Sequence, residues 1–212
     1  MDTDKLIKAL AADGRPQVMP MARAWTIAAI ASSIIAALVF FLSIGPRPDI
    51  ADAATTVRFL FKFVVTAALF ATAFTVLASL GRPEAWPRAV LPLLLVAPAL
   101  LAIAVGAEIA AIPSNEIVAR WVGSNSAICM TFIPMIGVGP LAVLLLAMRH
   151  GASTRPSLTG AVAGLVAGGL AATFYAAHCT DDSPLFVATW YPIAIGMLAI
   201  LGAIAGKILI RW

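Results

Sequence analysis

A short polar break, Ala177-His178-Cys179-Thr180-Asp181-Asp182-Ser183-Pro184, separates two long apolar runs. It holds one of the two cysteines and one of the two histidines in a chain of 212 residues. A thiol, an imidazole and two carboxylates are groups that bind metal or exchange electrons. With Cys129 opposite, the residues Cys179, His178, Asp181 and Asp182 offer soft and borderline ligands suited to zinc or cadmium. The paired C-x-x-C spacing of a structural zinc site is absent. The bland alternative is that Cys129 is a small buried hydrophobe and the break a solvated loop.

No catalytic constellation accompanies these residues. The chain has no glycine-rich phosphate loop, no G-x-S-x-G and no H-E-x-x-H. The other histidine, His150, falls on the opposite side of the membrane in the topology derived below. The chain therefore reads as a non-enzyme.

The elements that must position the break are apolar helices. Hydrophobic residues make up 62% of the chain and charged residues 11%, against roughly a quarter charged in a soluble domain. A bilayer core about 30 Å thick is crossed by roughly 20 apolar residues, and six such runs fill the chain. The expected fold is all-α, a polytopic membrane protein built as a bundle of six transmembrane helices. Residues 1–24 form a cytoplasmic helix and tether, and residues 25–212 the six-span domain. The spans fall near 25–44, 58–80, 89–110, 127–148, 157–177 and 185–209. Ala51-Asp52-Ala53 resembles a leader cleavage site, but the run before it is longer than a usual signal core, so it reads as a retained span. Pro92 and Pro98 should kink the third span. Lys62, one turn into the second, is expected to snorkel to the headgroups. Pro113-Ser114-Asn115-Glu116 can open a short interfacial helix. Gly160, Gly164 and Gly168, with Gly202 and Gly206, place small residues on one face of each of the last two spans, which should pack together.

Orientation follows from the basic residues. Lys5, Lys8, Arg15, Arg23, Arg82, Arg88, Arg149, Arg155, Lys207 and Arg211 make ten on one side, against Arg47, Arg58, Lys62 and Arg120 on the other. The richer side is cytoplasmic, and an even number of spans puts both termini there. Trp25, Trp121, Trp190 and Trp212 lie near span ends, as interfacial aromatics should. Cys129 and Cys179 then share the outer face, where disulfides persist in a bacterium. They read as a disulfide, a reactive dithiol or a metal-binding pair. The net charge of +4 sits in the connections, a topology pattern rather than a nucleic-acid face, so no direct nucleic-acid contact is expected. Charges are nearly absent from the middle of the spans, which argues against a transport pathway.

At the N-terminus, Asp2 or Thr3 can cap a helix, Asp4 suits its first turn, and Gly14 and Pro16 stop it. Leu6, Ile7, Leu10 and Ala11 share one face. Such a short helix is marginal alone. It reads either as a membrane-surface helix or as one that folds on a partner.

Several stretches carry a family resemblance. They are Met1-Asp2-Thr3-Asp4-Lys5-Leu6-Ile7-Lys8-Ala9-Leu10-Ala11, Gly45-Pro46-Arg47-Pro48-Asp49, Ile128-Cys129, Thr154-Arg155-Pro156 with the glycine-rich span after it, and above all 177–191, the polar break with its continuation to Trp190-Tyr191. In these the chain resembles the NrsF-type anti-sigma factors, six-span inner-membrane proteins of proteobacteria. The resemblance implies a partner, an extracytoplasmic-function sigma factor. Asp2, Asp4, Leu6, Ile7 and Leu10 would meet it at the cytoplasmic N-terminus. It implies that Cys129 and Cys179 respond to metals or oxidants, with no resident cofactor beyond a transient heavy-metal ion at the pair. The rival expectation is a small transporter or metal exporter using the same outer site.

Overall fold

The computed structural model describes residues 2–13, 21–82, 89–151 and 153–210, and the side chains of 10–13 lie outside that description. The described residues form helices and connections, with no strand. Backbone polar groups in hydrocarbon must be satisfied within the segment, so apolar runs of this length have the helix as their solution. In chain order the helices are α1 (Thr3–Asp13), α2 (Met21–Ser43), α3 (Ile50–Ala53), α4 (Val57–Leu80), α5 (Val96–Ala111), α6 (Ile117–Val122), α7 (Ser126–Met148), α8 (Pro156–Ala176) and α9 (Pro184–Leu209). Among the described residues six segments are long and apolar enough to cross a membrane. They are α2, α4, Leu91–Ala111, Ser114–Met148, α8 and α9.

The helix α8 is the axis of the bundle. Most of its residues are buried, and it packs against α9, α4, α7 and α2. Its surface is mainly Gly and Ala, which lets neighbouring backbones close in. A Cβ at Gly160 would overlap the Gly202 carbonyl, and one at Gly206 would come 2.5 Å from the Pro156 carbonyl oxygen. The last two spans thus meet backbone to backbone, as the glycine spacing predicts.

Outer helices bury one stripe and turn the other outward. In α2 the buried residues Ala24, Ala28, Ser32, Ala36 and Phe40 recur every fourth position. Ile27, Ile30, Ile34, Leu38 and Phe41 face out. Large apolar side chains on that face are what a helix in lipid presents.

The prolines of the third span both fall near its start. Leu91–Leu95 is a 3₁₀ turn containing Pro92, and Pro98 falls in the first turn of α5, where the lost N–H would have been unpaired. The expected short helix after Pro113 is also present, as a 3₁₀ turn over Ser114–Glu116 running into α6. Trp121 is half exposed and donates to Thr189 Oγ1 at 2.8 Å, while Trp25 is buried and packs edge-on against Phe74. Arg15, Arg88, Arg211 and Trp212 lie outside the described residues.

Lys62 departs from expectation. It does not reach toward headgroups. Its side chain is fully buried and turns inward to the polar break. Phe59, Val65 and Thr66, three and four positions away, are buried beside it, so Lys62 belongs to the inward stripe of α4.

Candidate functional site: two thiols beneath a tied loop

The polar break is the connection between α8 and α9, and each residue in it is held. At the end of α8 the amides of His178 and Cys179 both donate to the Tyr175 carbonyl, at 2.9 and 3.1 Å. The α2–α3 connection then grips the loop from one side. Arg47 N donates to Ala177 O at 3.0 Å, and His178 Nδ1 lies 2.9 Å from Gly45 O. Gly45 has φ +60°, the left-handed region that favours glycine.

Two cations hold the middle. Lys62 Nζ donates to Cys179 O at 2.8 Å and lies 2.5 Å from Asp182 Oδ1. Arg47 Nη1 reaches Asp182 Oδ2 at 3.1 Å and Cys179 O at 3.4 Å. Both cations stand over the Phe59 ring, at 5.1 Å for Lys62 and 5.9 Å for Arg47. Asp49, bonded to Arg47 through two nitrogens at 2.7 Å, holds the guanidinium firmly charged, and Arg47 in turn keeps the Asp49 carboxyl below its ordinary range.

The α6–α7 turn grips the loop from the other side. Asp181 Oδ2 accepts the backbone N–H groups of Ser124 and Asn125 at 2.9 and 2.8 Å, and the Asn125 amide at 2.9 Å. Asn125 also donates to Thr180 Oγ1 at 2.9 Å. Gly123 makes this turn with φ +59°, and a Cβ there would strike the Phe186 ring. Ser183 Oγ donates to Glu108 Oε2 at 2.7 Å. Glu108 is itself buried and faces Arg120 at 3.4 Å and Arg58 at 3.8 Å.

Beneath the loop lie the cysteines. Cys129 is one turn into α7, its N–H bonded to Asn125 O at 2.8 Å. Both cysteines are free thiols and neither has any exposed surface. Both belong to one buried hydrophobic cluster. Tyr175 and Tyr191 lie in the same buried cluster, edge to face with ring centroids 5.8 Å apart. Tyr175 Oη also donates to Asn125 O at 3.5 Å. Burial pushes the Cys179 thiol above its ordinary value, and the Lys62 charge opposes that rise. A neutral, covered thiol is a poor nucleophile and a poor metal ligand.

The structure therefore buries Cys129 and Cys179 in one cluster, but it does not aim the expected ligands at them. His178 turns to Gly45, Asp181 to the α6–α7 turn and Asp182 to the two cations. Among the described residues no group of three or more His, Cys, Asp and Glu side chains is placed to hold a metal ion. At the N-terminus, Asp2 caps α1 by accepting the Asp4 N–H at 3.3 Å, and Asp2, Asp4, Leu6 and Ile7 are exposed. The side chain of Leu10 lies outside the described residues. Residues that the sequence did not single out for the site are Arg47, Lys62, Glu108, Asn125, Tyr175 and Tyr191.

Fold and site together define a six-span, all-helical membrane protein with a covered cysteine pair. The family described as negative regulator of sigma F, NrsF, matches residues 10–212. The chain belongs to that family, which is regulatory. It is 33% identical to the anti-sigma-F factor NrsF of Caulobacter vibrioides (strain NA1000 / CB15N), over the full length of both chains. It is 37% identical to the probable anti-sigma-F factor NrsF of Azospira oryzae over 84 residues, 40% of this chain and 39% of that one. No solved structure matches it.

Proposed function

We propose that this chain is an anti-sigma factor of the bacterial inner membrane, with both termini cytoplasmic. Through α1 it holds an extracytoplasmic-function sigma factor inactive, and it releases that factor when a metal or oxidant reaches Cys129 and Cys179 from the periplasm. The observation that carries the reading is the pairing of an outward apolar face on α1 with a closed two-thiol compartment in the span domain. Leu6 and Ile7 are 42% and 58% exposed, and burying each against a partner contributes about 1.5–3 kcal/mol. Asp2 and Asp4 flank that face, and Leu10 extends it in sequence. Orientation is supported by the basic count and by a structural detail. Arg47, Arg58, Lys62 and Arg120, the minority on the outer side, are each paired with a carboxylate.

The signal acts on sulfur. Two thiolates can hold a metal ion, for zinc at about 2.3 Å each, or the two thiols can be oxidised to a disulfide, their two electrons and two protons passing to the oxidant. His178, Asp181 and Asp182 join a metal only if the loop gives up its present bonds. Nucleic acid is not contacted directly; transcription in stress is altered through the released sigma factor.

The test is co-purification from solubilised membranes. A sigma factor should accompany the wild-type chain and be lost from the Leu6→Asp/Ile7→Asp variant at equal abundance. Retention in that variant, with transcription still repressed, would remove α1 as the grip.

A further inference from the structure

Lys62 is the one lysine or arginine among the described residues that is fully buried. A buried ammonium is costly to hold and is retained only where good partners meet it. Its oxygen partners are the Cys179 carbonyl at 2.8 Å and Asp182 at 2.5 Å. Both lie on the loop that covers the thiols, and both are far away in sequence. Arg47 touches the same two groups from the rim, but its Cys179 contact is longer, at 3.4 Å, and it is shared with Asp49. Lys62 thus grips the peptide of the proposed sensing residue from within the bundle.

We infer that Lys62 is a positioning residue: it draws the Cys179 peptide inward and keeps that thiol buried in the cluster it shares with Cys129 and closed to water. The inference rests on the proposed role of the cysteines for its purpose, but not for its test. Without the ammonium, the Cys179 carbonyl and Asp182 lose their inner anchor. Arg47 then holds the loop only from its outer edge. The segment from 178 to 183 should open more often, and Cys179 should meet solutes that are now excluded.

The test uses the full chain in native membranes, with N-ethylmaleimide as the probe and peptide mass spectrometry to read each cysteine. Ala167 is fully buried in the middle of α8, so Ala167→Cys supplies a thiol that reports general loosening. Lys62→Met should label Cys179 at least tenfold faster than the parent, with the residue-167 thiol unchanged. Lys62→Gln keeps a donor for the carbonyl and should fall between; it carries the test if the methionine variant does not accumulate. Equal labelling of Cys179 in variant and parent overturns the inference. So does parallel acceleration at residue 167, which would mark Lys62 as a general stabiliser. Neither measurement involves a sigma factor or a signal. Normal induction in a Cys129→Ser/Cys179→Ser chain would therefore defeat the sensing reading alone and leave the labelling result standing.

Discussion

Glu108 Oε2 accepts the peptide N–H of Leu185 at 3.1 Å, so a carboxylate on α5 caps the start of α9. The first amides of a helix lack partners within it. Here the N-cap residue, Ser183, makes no side-chain bond to the helix and donates to Glu108 instead. Glu108→Ala leaves the Leu185 amide and the Ser183 hydroxyl without this acceptor. Leaving a buried donor unmet costs about 1–3 kcal/mol. Unfolding of the detergent-solubilised chain should show a loss of that size, and Glu108→Gln, which retains an acceptor oxygen, a smaller one. An unchanged midpoint for Glu108→Ala would mean that the cap is inert.

The glycine seam between α8 and α9 makes a sharper prediction. Gly160→Val and Gly202→Val drive side chains into backbone, which no rotamer relieves, and should abolish accumulation in the membrane. Gly106→Ala and Gly196→Ala add a methyl where no heavy atom lies within 4 Å. They should be tolerated or slightly stabilising, since alanine is favoured over glycine in helices by about 1 kcal/mol. Comparable abundance of all four would contradict the close approach.

Asp181 gathers two backbone amides of the α6–α7 turn. A hydrogen bond to a charged group is worth about 1.5–3 kcal/mol, so Asp181→Ala should loosen the turn locally. Limited proteolysis on the membrane side that carries this turn should then cut near Gly123, with Asp181→Asn largely protected. If proteolysis leaves this turn intact in Asp181→Ala, the bonds do not hold it.

The spans, their number and the meeting of α8 with α9 were legible because they are local: length, apolarity and glycine spacing. That Cys129 and Cys179 would fall at one end of the bundle was read from the expected topology, and the structure buries both in one cluster. The tying of the loop was not legible, because it depends on partners such as Arg47 and Asp182, 135 positions apart. Lys62 read as a snorkelling residue because sequence gives its depth but not its facing. The available signal was its spacing to Phe59, Val65 and Thr66, which together mark one stripe. Similarly, Cys, His and two Asp in one loop suggested a ligand set, yet neighbours in sequence point to different elements once the backbone turns.

Titration of Cys179 gives a stability prediction. Burial raises this thiol above its ordinary value of 9.0. The unfolded chain therefore releases the proton first, and folding is progressively disfavoured as pH rises past about 9, with no such effect below it. Thermal unfolding followed from neutral to alkaline pH should show this decline, and Cys179→Ser should flatten it. A slope that is identical in the serine variant would assign the decline to other groups.

The ion pair between Lys62 and Asp182 also orders the making of the protein. Span two is made while the residues that receive its ammonium are still untranslated. An unpartnered lysine at a helix centre costs about 2.5–3.5 kcal/mol on insertion scales, and less near a span's end, where Lys62 sits. A nascent chain that stalls before its last loop thus carries a chemical mark of incompleteness in its second span, and that mark is erased once Cys179 and Asp182 arrive ahead of α9.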